Sequence, residues 1–323
     1  MPIDPAPANR HDTLFEAQRA RLLALAWRML GSRHEAQDLL QDLWLAWHGV
    51  ELASLSEPAA YLARMATHLC IDRLRSARRQ REQYVGVWLP EPWIESAEPL
   101  DAPPTPAEQL GLAQSVSIAF LLVLERLGPP ERAAFLLHDV FEQPFEEVAR
   151  LIGRSAAACR QLAARGRARL RAAGLLDQES ARENTLTAVS AHAAQLLEAF
   201  GQAVGSGDVD RLAALLARDV ELLSDGGGVV TALPRPVSGA YDVARVLCGL
   251  ARGWARGAGR HERLTPVRIN GLPGVVVRDA GGQVVMALAL QQNADGRVRG
   301  VYFMRNPHRL HAVAVTRGAH LQG

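Results

Sequence analysis

Apolar positions recur at the 3.6-residue period of helices through the N-terminal half of the chain, then switch to the period of two typical of strands past Val220. Leu22, Leu25, Ala26 and Met29 share one face of a first helix that closes at Gly31, after a tail over residues 1–12 that reads as disordered. Ser32, with Glu35 three places on, reads as a capping box for a second helix. Its inward stripe is Ala36, Leu39, Leu40, Leu43 and Trp47. Its other face, Asp38, Gln41, Asp42 and Leu45, is half acidic and half apolar. Such a face suits docking of a basic helix, and also suits plain solvation. Ser56 and Pro58 open a third helix that runs to about Arg81, with Leu62, Met65, Ala66 and Leu69 inward.

The stretch from Glu131 to Arg171 holds two short helices. Val148, Leu151 and Ile152 form the apolar face of the first, Gly153 ends it, and Ser155 caps the second. In that second helix Cys159, Leu162, Ala163, Gly166 and Leu170 share a face, while Arg160, Arg167 and Arg171 share another, with Arg165 and Arg169 beside it. Arg150, Arg154 and these five arginines occur with no carboxylate among them. A tight glycine turn followed by an Arg-rich helix is a helix-turn-helix signal for DNA in the major groove.

Between the third helix and this motif, residues 82–125 hold no basic residue. Pro90, Pro92, Pro99, Pro103, Pro104 and Pro106 break an acidic stretch carrying Glu91, Glu95, Glu98, Asp101 and Glu108. Such a connector is stiff and extended, and its charge either mimics nucleic acid or keeps the chain solvated. Trp88 and Trp93 within it call for a surface to bury against. Past a second polar linker at 177–186, two helices (about Thr187 to Val204, and from Asp208) precede strands at Val220–Leu223, Val229–Leu233, Leu264–Ile269, Val275–Val277, Val284–Leu290 and Arg297–Phe303. A helix from Tyr241 to Trp254 interrupts them. Helices first and then a curved antiparallel sheet predicts an α+β domain.

Charge and cysteines narrow the classes. The 323 residues carry a formal net charge of +2, so contact with nucleic acid must come from local patches. All 36 basic residues are Arg, which we read as nucleotide bias in the source. Cys70, Cys159 and Cys248 are too few and too scattered for a disulfide framework or a metal cluster, which predicts a reducing compartment. No stretch reads as a secretory leader or a bilayer span, so the expectation is a cytoplasmic protein without membrane contact. No cofactor or metal is expected.

The order and spacing of three stretches carry a resemblance. LAWRMLGSRHEAQDLLQDLWLAW, YLARMATHLCIDRLRSARRQRE and the helix-turn-helix resemble regions 2 and 4 of the extracytoplasmic-function (group IV, sigma-70 family) sigma factors. The resemblance implies that the second helix docks on the β′ coiled coil of core RNA polymerase through Asp38, Leu39, Gln41, Asp42 and Leu43, with region 4 on the β flap. It implies that Tyr61, Arg64, His68, Arg73, Arg75, Arg78 and Arg79 read and open the −10 promoter element. It assigns the −35 element to Arg154, Ser155, Arg160, Gln161, Arg165 and Arg167. Three further strings resemble the subgroup with a fused SnoaL-like, or nuclear transport factor 2-like, C-terminal cone. They are Trp88-Leu89-Pro90-Glu91-Pro92, Asp225-Gly226-Gly227-Gly228 and Asn306-Pro307-His308-Arg309-Leu310, the last with His and Arg where the family has Asp and Lys. They imply a regulatory domain that stands in for a separate anti-sigma factor and docks intramolecularly on regions 2 and 4 through these segments. The implied division is region 2 at 13–85, an acidic linker at 86–112, region 4 at 113–176 and the cone at 187–323. The fold class is thus two all-α sigma domains followed by an α+β cone.

Two other functions use the same residues. One is a ligand-sensing helix-turn-helix regulator without sigma activity, which would need no polymerase-docking helix. The other is a SnoaL-type enzyme with Asp225, Asp242, Asp279 or His261 as proton shuttle. Each of these four has a plainer role, in a glycine turn, a helix start, a hairpin turn or a solvated loop. No catalytic residue is therefore expected, while a small ligand in the cone's pocket stays open.

Overall fold

The structure, a computed structural model, describes residues 7–81, 86–94, 118–172, 188–256 and 263–310. Most of the acidic linker, the linker at 177–186, residues 1–6, His261 and the side chains of Arg78 and Arg79 lie outside the described residues. The chain forms two compact units, one from Met1–Gln83 and Ala119–Ser180, the other from Tyr84–Ile118 and Ala181–Gly323.

The first unit is all helical. Helix α1 (Pro7–Leu30) starts earlier than expected. Residues 7–12, read from sequence as disordered tail, are its first turns. The reason is tertiary: the Trp47 indole donates to the His11 carbonyl at 3.1 Å and the His11 ring stacks on His48. Helix α2 (Arg33–His48) opens at Ser32, whose hydroxyl accepts the Glu35 N–H at 3.1 Å, one half of the expected capping box, and buries Ala36, Leu39, Leu40, Leu43 and Trp47. Helix α3 (Pro58–Arg81) closes the bundle with Leu62, Ala66 and Cys70 fully buried. Each large side chain so buried contributes about 1.5–3 kcal/mol. Helices α4 (Ile118–Glu125) and α5 (Pro129–Phe135) lead through a wide turn at Leu136–Val140 to α6 (Phe145–Ile152) and α7 (Ala156–Ala172). Gly153 ends α6 at φ 67, a left-handed cap that a side chain would strain, and its N–H bonds Ala149. Ser155 then accepts the Ala158 N–H at 3.2 Å. Val148, Leu151, Cys159, Leu162 and Leu170 form the core beneath this turn.

The second unit holds α8 (Ala188–Ser206), α9 (Val209–Leu215), α10 (Ala240–Arg256) and six strands: β1 (Leu216–Asp225), β2 (Val237–Ser238), β3 (Arg263–Ile269), β4 (Leu272–Arg278), β5 (Val284–Gln292) and β6 (Val298–Met304). The strand order is β2-β1-β6-β5-β4-β3. The expected antiparallel sheet is corrected to a mixed one, because β1 and β6 run parallel, pairing Asp225 with Met304. The expected strand at Val229–Leu233 is also absent. Val229 and Val230 instead bond back to the Gly226 carbonyl in a turn, and β2 takes the edge beside β1. The Asn270-Gly271 hairpin between β3 and β4 has positive φ at both residues (49 and 74), as a two-residue I′ turn needs. Phe200, Leu212, Leu222, Val243, Leu247, Leu290 and Val301 fill the core between helices and sheet.

Candidate nucleic-acid and polymerase interface

On α2 the inward stripe fixes what is left outside. Leu39 and Leu43, expected to touch polymerase, have no exposed surface and belong to the core. Gln41 and Asp42 are exposed and Asp38 is half-exposed. Beside them stand Trp44 and Leu45, 40% and 66% exposed, the largest apolar side chains that this helix presents. The sequence reading found Leu45 and missed Trp44, although its position three places after Gln41 was a signal. Asp42 is ion-paired to Arg73, whose guanidinium also donates to the Glu35 carbonyl at 2.6 Å. Arg73 therefore ties α3 to α2, and does not stand free for the −10 element as expected.

Tyr61, Arg64, His68 and Arg75 follow one another along a single face of α3. Arg64 lies over the Tyr61 ring at 4.8 Å, His68 is exposed, and Arg75 pairs with Asp72 at 3.1 Å. Tyr61 and Arg64 line a cavity of about 330 Å³ together with Ser54, Ser56 and Glu57 of the preceding loop and Glu147, Arg150 and Leu151 of α6. An aromatic ring with a guanidinium stacked on it, beside hydroxyls, suits an unstacked base and its phosphate.

The recognition helix divides its arginines. Arg154, Ser155, Arg160 and Gln161 are exposed. Arg165 and Arg167, also expected to read the −35 element, are ion-paired within the unit. Arg165 and Arg169 reach the two oxygens of Glu131 at 3.1 and 2.8 Å, and Arg167 bonds Asp139 at 2.6 Å. Glu131 also accepts the Gly128 N–H at 3.2 Å, so one nearly buried carboxylate holds α5 to α7. Both carboxylates lie within the stretch read from sequence, but no local spacing pairs them with arginines 28 to 38 residues farther on.

Arg132, the neighbour of Glu131, is 2% exposed. It donates to the carbonyls of Leu124 (2.8 Å) and Met29, and pairs with Glu125 at 3.0 Å. Burial pushes its guanidinium down to about 9, still well above neutrality.

In the second unit the three distinctive strings meet one another. The buried Asp225 carboxylate accepts the Leu89 N–H at 2.9 Å with one oxygen and the Gly227 N–H at 2.9 Å with the other. Asn306 caps a short helical turn, accepting the His308 N–H at 3.0 Å, and Pro307 stands where no N–H is needed. Leu310 is buried, and Arg309 reaches back to donate to the Leu89 carbonyl while lying 4.3 Å over the Trp88 ring. Gly227, at φ 68, sits so near Asn306 that a Cβ there would come within 2.5 Å of its amide carbon. Pro90, Glu91 and Pro92 are buried. Farther along, Trp93 and Asn270 exchange hydrogen bonds at 2.8 and 3.0 Å, and Ile94 bridges to Ile269. Trp93, Ile94, Asn270 and Arg309 were not singled out as site residues from sequence.

Three of the four candidate proton shuttles lie among the described residues, and His261 does not. Asp225 is engaged as above, Asp242 lies in the first turn of α10, and Asp279 accepts the Gln283 N–H at 2.9 Å in its hairpin. Among the described residues no group of His, Cys, Asp and Glu is arranged to hold a metal, and no helix is long and apolar enough to cross a membrane.

Family models for sigma-70 region 2 and sigma-70 region 4 match residues 14–80 and 117–170. The chain is 33% identical over 302 residues to ECF RNA polymerase sigma factor SigJ of Mycobacterium tuberculosis, covering 91% of each chain. It is 32% identical over 214 residues to the probable ECF RNA polymerase sigma factor SigI of the same species, covering 64% of this chain and 68% of that one. The crystal structure of the M. tuberculosis SigJ protein matches with a TM-score of 0.67 at 29% identity, over 92% of this chain and 97% of that one. The chain belongs to the extracytoplasmic-function sigma factors, which direct RNA polymerase to promoters.

Proposed function

We propose that Asp38, Gln41, Asp42, Trp44 and Leu45 form the surface that docks on the β′ coiled coil, with Leu39 and Leu43 supporting it from beneath. Tyr61, Arg64, His68 and Arg75 read the −10 strand, joined by Arg78 and Arg79 at the helix end. Arg154, Ser155, Arg160 and Gln161 read the −35 element in the major groove, while Arg165 and Arg167 hold the recognition helix in place. Region 4 also engages the β flap. The chain performs no chemistry of its own and acts in the cytoplasm, where polymerase and promoter are.

The C-terminal cone at 187–323 is the built-in regulator in this reading. One observation supports it most: the Asp225 carboxylate, nearly without exposed surface, receives the backbone of the linker at Leu89. Through this bond the state of the cone reaches the segment that joins region 2 to region 4. The linker sets the effective concentration of such an intramolecular contact. Run-off transcription with core polymerase on the region upstream of the protein's own gene tests this, comparing the full chain with Asp225→Ala and Arg309→Ala. A several-fold change in transcript yield in both variants, with core binding retained, is the expected result. Unaltered yield in both would remove the cone from control, and no transcript from any form would favour a regulator without sigma activity.

A further inference from the structure

The first turns of α1 meet the end of α2 in one cluster of side chains. A single oxygen of the Asp12 carboxylate accepts the Trp44 indole N–H at 3.3 Å and lies 3.2 Å from Nε2 of His48. The other ring nitrogen of His48, Nδ1, is 2.9 Å from the Trp44 carbonyl. The His48 ring also packs on the Trp44 ring, with centroids 4.2 Å apart. Trp44 is therefore held at its indole N–H and on its ring, yet it stays 40% exposed. An exposed indole without such a hold would sample several rotamers, and a partner docking on it would have to order it.

The cluster has a proton requirement. Carbonyl and carboxylate oxygens only accept, so His48 bonds both of its neighbours only as the doubly protonated imidazolium. His48 also closes α2, where the carbonyls of a helix end favour a cation. From α1, His11 faces it as well, its ring stacked on His48 at 5.3 Å. Nε2 of His11 is 2.9 Å from the Val50 carbonyl, a bond that the neutral ring makes with its one proton. Charging His48 alone completes the cluster, whereas charging His11 too would set two cations side by side.

We propose that Asp12 and His48 are positioning residues for polymerase docking: they hold the Trp44 indole ready on the exposed face of α2, and the hold needs the proton on His48. The inference rests on assigning that face to core polymerase. The start of α1 thus serves the docking surface by shaping it from the side. When His48 loses the proton on Nε2, a lone pair faces the Asp12 carboxylate where a donor stood. Asp12 then leaves His48, and the indole loses its acceptor. Affinity for core falls as the solution becomes more alkaline.

The test is a titration of the full chain with core polymerase between about pH 6 and 8, the range in which histidine changes charge. Wild type should weaken about threefold to tenfold from its best value toward the upper end, the worth of one partly exposed charged hydrogen bond. His48→Gln and Asp12→Ala should show the weaker value throughout. Both side chains are partly exposed, His48 at 28% and Asp12 at 50%, so both variants should keep their helical circular dichroism. His34, which lies 3.6 Å from Asp38 on the same helix, is common to all of these chains, so the difference between profiles isolates the cluster. Fluorine NMR of fluorotryptophan-labelled chain gives a second readout, with Trp44→Phe identifying Trp44 among the six tryptophans. The Trp44 resonance should move with pH in wild type and stay put in both variants. Parallel affinity profiles in wild type and variants overturn the inference, as does a Trp44 resonance that behaves alike in all of them. Unaltered core binding by Leu45→Asp would instead count against the docking surface itself.

Discussion

Asp225 and Leu89 stand 136 residues apart in sequence and are joined by a buried hydrogen bond of 2.9 Å. The carboxylate was legible as part of a glycine turn, yet its partner is the backbone of a linker whose charge left solvation and mimicry of nucleic acid equally open. Removing the acceptor leaves a buried N–H at Leu89. Asp225→Ala should cost about 1–3 kcal/mol, expose Trp88 and speed cleavage near residue 90 by protease. Trp88 fluorescence and limited proteolysis read this out. An Asp225→Ala chain as resistant as wild type would mean that Arg309 and the Trp93–Asn270 bonds hold the linker without Asp225.

The two faces of α2 should respond differently. Leu39→Ala empties a fully buried site and should cost about 2–5 kcal/mol of stability. Leu45→Asp changes an exposed group and should leave the melting temperature within a degree or two, while weakening core binding at least about tenfold, as loss of a central interface anchor does. Thermal melts and a binding titration separate these outcomes.

A like contrast applies to the recognition helix. Arg160→Ala should lower promoter affinity by about 1–3 kcal/mol if it meets a base edge, and should cost only about 0–1 kcal/mol of stability, from its exposed ion pair with Glu146 at 3.7 Å. Arg165→Ala should act through Glu131, and a double-mutant cycle of the two should give a coupling of about 0.5–3 kcal/mol in stability. Direct −35 contact by Arg165 would appear instead as lost affinity that persists in the Glu131→Gln background.

Burial pushes the Cys70 thiol up to about 12 from an unfolded value near 9. The folded state then keeps a proton that the unfolded chain loses, so stability is full below pH 9 and declines as pH rises toward 12. Unfolding midpoints across that window should fall more steeply in wild type than in Cys70→Ala. Equal slopes would show that the thiol does not titrate with unfolding.

Much of this was legible because it is local. The Ser32 and Ser155 caps, the left-handed Gly153, the stripe of α2 and the Asn270-Gly271 turn each depend on residues within a few positions. What escaped depends on distant ones. The parallel pairing of β1 with β6 leaves no trace in the alternation of either strand. Val229–Leu233 alternates well enough for a strand, but the preceding glycines turn it away and give the edge to Val237 and Ser238. Arg165 and Arg167 belong with DNA by composition, and with Glu131 and Asp139 by position.

Because β1 and β6 run side by side in the same direction, Asp225 and the turn at Asn306 arrive at one end of the sheet. The cluster around Leu89 is thus completed only once β6 and the turn after it have been made. Arg309 follows Leu89 by 220 residues, which at about 5–20 residues per second takes on the order of ten seconds or more to synthesise. Within that interval, once Ala172 has been made, the nascent chain carries its docking helix and its recognition helix, but no finished clasp for the linker. A ribosome stall or a premature stop anywhere before Asn306 would release a chain in that unfinished condition, so the fidelity of translation itself guards the control of transcription.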